Sequence, residues 1–268
     1  MEPAARPRQP SAPPREHEKV LRVREDYEAK VGLWSEIYEG TSFHDFVIQQ
    51  RLVRALALVD RVGGQRALDV GCGAGQFLVE LAERGFEVAG VDLAEGMVEA
   101  ASARLGTLGL ESDVRVANVE RLPFDDGSFD IVTALGLIEY LPDPTQALRE
   151  FERVLAPGGH LIVTAPNPVR LSFVCDPLRV IRTRLRPPPA GYQRTYFTPW
   201  RLRRDIATSG LSLIELHGHG VGEWTVAGHP VLPTALSVRI SGILERTLPA
   251  AALQVAGSNL IALARTPV

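Results

Sequence analysis

The sequence predicts an α/β protein built on a doubly wound, mostly parallel sheet, and three observations carry that prediction. Between residues 66 and 165, short apolar runs alternate with longer runs whose apolar positions recur at helical spacing. The first apolar run, Ala67-Leu68-Asp69-Val70, opens directly into a glycine-rich turn, Gly71-Cys72-Gly73-Ala74-Gly75. The alternating units are short and no internal repeat is visible, which points to strand–helix crossovers around one parallel sheet.

Each element follows from local signals. From about Glu16, Val20, Leu21, Val23, Tyr27, Val31 and Trp34 recur near helical spacing, and a second helical run covers residues 43–62. A strand is expected over 66–70, a helix over 76–84, a strand over 87–91, a helix over about 95–105, and strands over 114–118 and 129–135. A helix over about 144–155 is expected to stop at Pro157-Gly158-Gly159, followed by a fifth strand over 160–165. After Pro166 the alternation breaks, and residues 168–197 are irregular and rich in Pro and Arg. Thr198 as cap and Pro199 at the first position start a helix over 198–209. A strand over 211–216, a largely apolar insertion over 221–250 and a last strand over 258–265 complete the chain. The organisation expected is a disordered tail (1–15), an N-terminal helical cap (16–62) and one domain (63–268) with insertions at about 168–197 and 221–250.

Composition narrows the function classes. The 268 residues suit one domain with appendages. Lys plus Arg is 29 against 32 for Asp plus Glu, a formal charge of −3. That excludes a generally basic nucleic-acid coat but leaves room for a local basic patch. Among the basic residues Arg far outnumbers Lys. Two cysteines, Cys72 and Cys175, make no disulfide framework, and no Cys/His spacing reads as a zinc site. Prolines and charges at the N-terminus leave no signal-peptide core, and no run approaches the ~18 apolar residues of a membrane span. A soluble, cytoplasmic protein is expected.

The glycine loop is the sharpest motif. Glycines let the backbone approach a ligand closely and adopt conformations a side chain would block. A dinucleotide fingerprint would place a third glycine three positions after Gly73, where Gln76 stands. The next strand, Val88-Ala89-Gly90-Val91-Asp92, ends in an acid that can accept both hydroxyls of a ribose. Asp69 inside the first strand reads as an acceptor near a cationic ligand.

Four segments resemble the class I S-adenosylmethionine (SAM) dependent methyltransferases: LDVGCGAG, VAGVDLAEGMVEAA, ERLPFDDGSFDIVTALGLIEYLPDP and LREFERVLAPGGHLIVTAPN, in the family's order and spacing over residues 66–167. The resemblance implies a Rossmann-like sheet of seven strands, mostly parallel with the last antiparallel, and helices on both faces. It implies SAM as cofactor and S-adenosylhomocysteine (SAH) as product. It places Asp69, Gly71, Gly73 and Gly75 around the methionine part of SAM, with Cys72 a small packing residue of the same loop. Asp92 would bind the ribose, with Leu93 and Met97 beside the adenine. Asn118 stands where many relatives have Asp and can still accept from the adenine amino group. Val119 would pack on the ring, and Leu135 or Gly136 would line the methyl-transfer region. Many relatives read Glu-His where this chain has Glu139-Tyr140; Tyr140 keeps a hydrogen-bonding ring but is a poor base.

Methyl transfer from a sulfonium is an in-line displacement that needs alignment and exclusion of water. A base is needed only for an acceptor that keeps its proton at neutral pH. His44 and Tyr140 are the catalytic candidates, and His217, His219 and His229 are further candidate bases. His217-Gly218-His219 lacks a third ligand, and no metal is expected. The acceptor should lie under the segments the common fold does not supply: the N-terminal helices with Trp34, Tyr38, Phe43 and His44, and the two insertions. Arg170, Arg179, Arg182, Arg184, Arg186 and Arg194, then Arg201, Arg203 and Arg204 just after it, crowd the first insertion and its exit against only Asp176 within it, with apolar residues interleaved. The second carries Val231, Leu232, Leu236, Val238, Ile240, Ile243, Leu244 and Leu248, and reads as a hydrophobic lid, a dimer face or core. Together they favour a small lipophilic, aromatic or anionic acceptor, or peripheral contact with a membrane, in a monomer or homodimer. Nucleic acid is not expected, because a stacking platform is absent. O-methylation is favoured; N- or C-methylation of a lipid, natural product, RNA or protein, and a non-catalytic SAM-binding protein, are the alternatives.

Overall fold

The computed structural model describes residues 15–32, 40–169, 194–222, 225–226, 229–230 and 232–268, with side chains over 20–32, 40–169, 194–222 and 232–268. Residues 1–14 of the expected tail, Trp34, Tyr38, Cys175, Val231, the side chain of His229 and the arginines from Arg170 to Arg186 lie outside them.

The first strands are apolar without alternation, as strands covered on both faces must be. In β1 (Arg66–Val70) everything after Arg66 is buried, and in β2 (Glu87–Asp92) Val88 to Val91 are buried. By contrast β3 (Ser112–Val116) is exposed along most of its length and carries the paired charges of Asp113 and Arg115, which suits the edge it occupies. With β4 (Phe129–Ala134), β5 (Leu155–Pro166), β6 (Ser212–His219) and β9 (Asn259–Arg265) they form a seven-stranded sheet of order β3-β2-β1-β4-β5-β9-β6. Pairings are parallel except where β9 runs antiparallel between β5 and β6. The seven strands and the reversed last strand match the expectation. A two-stranded ladder, β7 (Thr225–Val226) with β8 (His229–Pro230), stands apart.

Helices cover both faces. On one, α2 (Phe43–Val62), α3 (Gln76–Glu83) and α4 (Glu95–Thr107) pack Leu56, Val59, Leu78, Leu81 and Leu105 into one core with β1 and β2. On the other, α5 (Pro144–Val154) and α6 (Pro199–Thr208) bury Leu148, Phe151, Leu202 and Ile206 against β4 and β5. Their starts are written locally. Ser42 and Asp45 form a reciprocal capping box, Asp143 caps α5 ahead of Pro144, and Thr198 caps α6 ahead of Pro199.

Two expectations change. Pro157-Gly158-Gly159 does not stop a helix: α5 ends at Val154, and β5 has already begun. Leu155 pairs with Phe129 and His160 with Ile131, so the intervening residues bulge out of the ladder, with Gly158 at φ 76°. The second insertion is no simple hydrophobic lid in its described part. The faces that α7 (Thr234–Thr247) buries are Ser237 and Ser241, while Leu236 and Ile243 are exposed. An ion pair between Arg54 and Glu245 fastens α7 to α2. The short α8 (Ala250–Ala256) leads into β9. Among the described residues no helix is long and apolar enough to cross a membrane.

Candidate active site

The carboxyl ends of β1, β2 and β4 converge on the glycine loop. Gly71, Gly73 and Gly75 have φ of 74°, 52° and 81°, values that β-carbons disfavour. The N–H groups of Gly71 and Cys72 both donate to Val91 O, at 2.8 and 3.0 Å, and tie the loop to β2. Gly73 donates its N–H to Asp92 Oδ2 at 3.0 Å, and nothing lies within 4 Å of where its β-carbon would stand. Gly75 serves packing instead. A β-carbon there would lie 2.9 Å from Ala101 Cα, so the glycine allows the close approach of α3 to α4.

A cavity of about 260 Å³ opens above this loop. At one end Asp92, Leu93, Met97, Asn118 and Val119 line it. Asp92 accepts Gly73 N–H on one oxygen and Ala94 N–H on the other, at 3.0 Å each, and Leu93 N–H also donates to the carboxylate, which leaves acceptor capacity for one ligand hydroxyl. Burial raises its carboxyl pKa, and those backbone donors oppose the rise. Asn118 Oδ1 already accepts Glu120 N–H at 3.0 Å and retains one further acceptor position. Met97 is fully buried beside Ala74 and Ala94, with Tyr27 packed against the group.

Further walls of the cavity come from the N-terminal helices and the turn after β4. Val20, Val23 and Tyr27 of α1 (Arg15–Ala29) and Phe43, Val47 and Ile48 of α2 supply an apolar lining. Tyr27 meets Tyr140 edge to face, with ring centroids 5.7 Å apart, and Arg194 lies 5.4 Å from the centre of the Tyr140 ring. Burial raises the pKa of both phenols, so both keep their protons near neutral pH. Arg51 reaches across from α2 onto Gly136, where a β-carbon would collide with its guanidinium; Gly136 takes φ 74°. Glu139 lines the same cavity, buried.

Twelve of the fourteen sequence-derived site residues line this one cavity. Those are Gly71, Cys72, Gly73, Asp92, Leu93, Met97, Asn118, Val119, Leu135, Gly136, His44 and Tyr140, with His44 exposed at the rim. Asp69 and Gly75 do not line it. Asp69 is buried under the loop, where it accepts the Thr133 hydroxyl at 2.6 Å, and burial pushes its pKa up to about 7. The Cys72 thiol is pushed well up by burial and by Asp92, and packs over Gly90. His217 and His219 do not line the cavity: His217 lies 3.3 Å from Glu215, and His219 is fully buried. The basic patch shrinks in its described part, because Arg201 and Arg204 both pair with Asp205, and Arg203 donates to Gln254. Sequence reasoning did not single out Tyr27, Arg51, Arg194 or Glu139 as lining residues. Arg51 and Tyr27 sit in ordinary helical patterns, and Arg194 stood out only as one of many arginines.

Comparison with known proteins agrees with this geometry. A methyltransferase-domain family model matches residues 68–163. A ubiquinone biosynthesis O-methyltransferase of Xanthomonas euvesicatoria pv. vesicatoria is 33% identical over 168 residues, covering 61% of this chain and 69% of that one. A second, from Marinobacter nauticus, is 32% identical over 162 residues, covering 59% and 68%. Among solved structures, magnesium protoporphyrin IX methyltransferase from Synechocystis PCC 6803, with SAH bound, superposes with a TM-score of 0.62 at 18% identity, covering 93% of this chain and 99% of that one. With the reversed seventh strand, the glycine loop beneath an open cavity and an acid at the end of β2, the likeness extends over the whole sheet, and the chain belongs to the class I SAM-dependent methyltransferases of the small-molecule type.

Proposed function

We propose that this enzyme methylates a hydroxyl of a small, hydrophobic or aromatic acceptor, with SAM held at the Asp92 end of the cavity and the acceptor at the Tyr140 end. The observation that carries the reading is that the glycine loop, Asp92 and the Tyr140 turn all line one cavity. The Asp92 end fits SAM. The open space at Gly73 admits a ligand against the backbone, Asp92 offers an acceptor to the ribose, and Met97, Leu93 and Val119 offer an apolar slot to the adenine. Arg51, over Gly136, is a charge partner for the carboxylate of the methionine part. SAM brings a methyl group already activated by the sulfonium charge. What remains for the protein is alignment and exclusion of water. Apolar side chains of α1 and α2 line the cavity and disfavour water there. Tyr27 and Tyr140, packed edge to face, line the cavity as aromatic walls for an aromatic acceptor.

The relatives named as ubiquinone biosynthesis O-methyltransferases support oxygen as the methylated atom and a quinone-like ring as the acceptor class. The test is incubation with methyl-labelled SAM and parallel panels of hydroxyaromatics and amines. Label is expected on oxygen of a hydroxyaromatic; label on amines alone would contradict the reading.

A further inference from the structure

The turn after β4 carries a carboxylate for which neither end of the cavity has yet given a use. Glu139 is 5% exposed, lines the cavity, and its Oε2 has no hydrogen-bond partner among the described residues. A buried carboxylate with an empty acceptor position is costly unless a ligand fills it. Its backbone is held firmly, since Glu139 O accepts Thr195 N–H at 2.7 Å and the turn is one of 3₁₀ type over Ile138–Tyr140. The other carboxylates lining the cavity are Asp92, which already accepts the N–H groups of Gly73 and Ala94, and Glu120.

We propose that Glu139 is the proton acceptor of the reaction, taking the proton of an acceptor hydroxyl through Oε2 as the methyl is transferred. The inference rests on the O-methylation reading above. In the step, the acceptor O–H bond breaks and its proton passes to Oε2. The oxygen electron pair forms the new C–O bond, and the methyl–sulfur bond breaks with its electrons returning to sulfur. The products are the methyl ether and SAH, and the proton leaves Glu139 for solvent when the products depart.

The surroundings suit a hydroxyl that becomes negative rather than an amine that arrives positive. Arg51 from α2 and Arg194 both act on Glu139, Tyr140 adjoins it, and Tyr27 reaches in from α1. Two guanidiniums oppose a cationic acceptor and stabilise charge developing on oxygen. Burial raises the pKa of the carboxyl and strengthens it as a base, while the guanidiniums hold it back from remaining protonated. Tyr140 and Tyr27, both with raised pKa, keep their protons and are not the base.

The test compares wild type with Glu139→Gln, which keeps the shape of the side chain. SAH affinity by calorimetry and the melting temperature check that the variant is folded. Turnover is then measured with two probes, catechol and 4-nitrocatechol, in mildly alkaline buffer, where the nitro compound is already largely ionised and catechol is not. The expected result is a loss of roughly 100-fold on catechol and a much smaller loss on 4-nitrocatechol. Equal loss on both, or no loss on catechol, overturns the role of Glu139 while leaving O-methylation standing. A wild-type enzyme that turns over neither probe, or labels only amines, overturns the O-methylation reading and this inference with it. SAH binding retained in that case leaves the cofactor end intact and separates the two failures.

Discussion

His219 and Asp69 are both buried titratable groups close to the site, and they bias stability in opposite directions. His219 is fully buried, and its two ring nitrogens have no hydrogen-bond partner among the described residues. Burial first, then Arg54 and Arg51, push its pKa down to about 3 from 6.5. Between those values the unfolded chain binds a proton that the folded one refuses. Stability attributable to His219 is therefore full above about pH 6.5 and falls as the pH drops towards 3, by about 1.4 kcal/mol per pH unit. Asp69 acts the other way. Its pKa rises from 3.8 to about 7, so its contribution falls as the pH rises through that window. The expected outcome is that His219→Gln, whatever it costs at neutral pH, loses less stability than wild type between about pH 7 and 5. Urea unfolding at the two pH values measures it, and parallel losses in both proteins would contradict the account. Neither shift was legible in the sequence. His217 and His219 lie two apart along β6, and only packing decides that one is solvated and the other enclosed.

Much of the element scale was written locally. The Ser42–Asp45 box and the Thr198-Pro199 start lie where the sequence placed helix ends, because a cap is a contact between near neighbours. Contacts that assemble the site are of another kind. The cap position of α4 is Ala94, which supplies no side-chain acceptor, and Glu28 of α1 supplies one across the fold. Its carboxylate accepts the N–H of Glu95 at 2.6 Å and of Gly96 at 3.0 Å. A carboxylate at a helix N-terminus satisfies orphan donors and complements the dipole. This joint holds α1, with Tyr27, over the cavity. Glu28→Ala is expected to weaken the joint by about 1 kcal/mol, to speed trypsin cleavage within α1, and to weaken SAH binding. Unchanged cleavage and affinity would show that α1 is held by other contacts. Sequence periodicity exposed α1 as a helix but could not disclose a partner 67 residues away.

At the scale of the whole molecule, the seven strands and the reversed β9 agree with what the family resemblance of 66–167 implies, and the glycine loop and Asp92 named from those motifs line one cavity. Those residues approach one another because they end successive strands, so the topology of the sheet gathers them at one edge. The acceptor end followed far less, since it joins α1, α2, the turn after β4 and Arg194, segments separated by long stretches of chain. The basic cap expected over the acceptor is also reduced in its described part by Asp205, a single acid that pairs with two of its arginines. The central claim is that SAM binds between the glycine loop and Asp92. Calorimetric titration of SAH into wild type and Asp92→Ala tests it most directly. The account predicts clear saturable binding to wild type and a loss of at least about tenfold in the variant, as expected when a partly buried charged hydrogen-bond acceptor is removed. No heat with wild type, or equal affinity in both proteins, would contradict it.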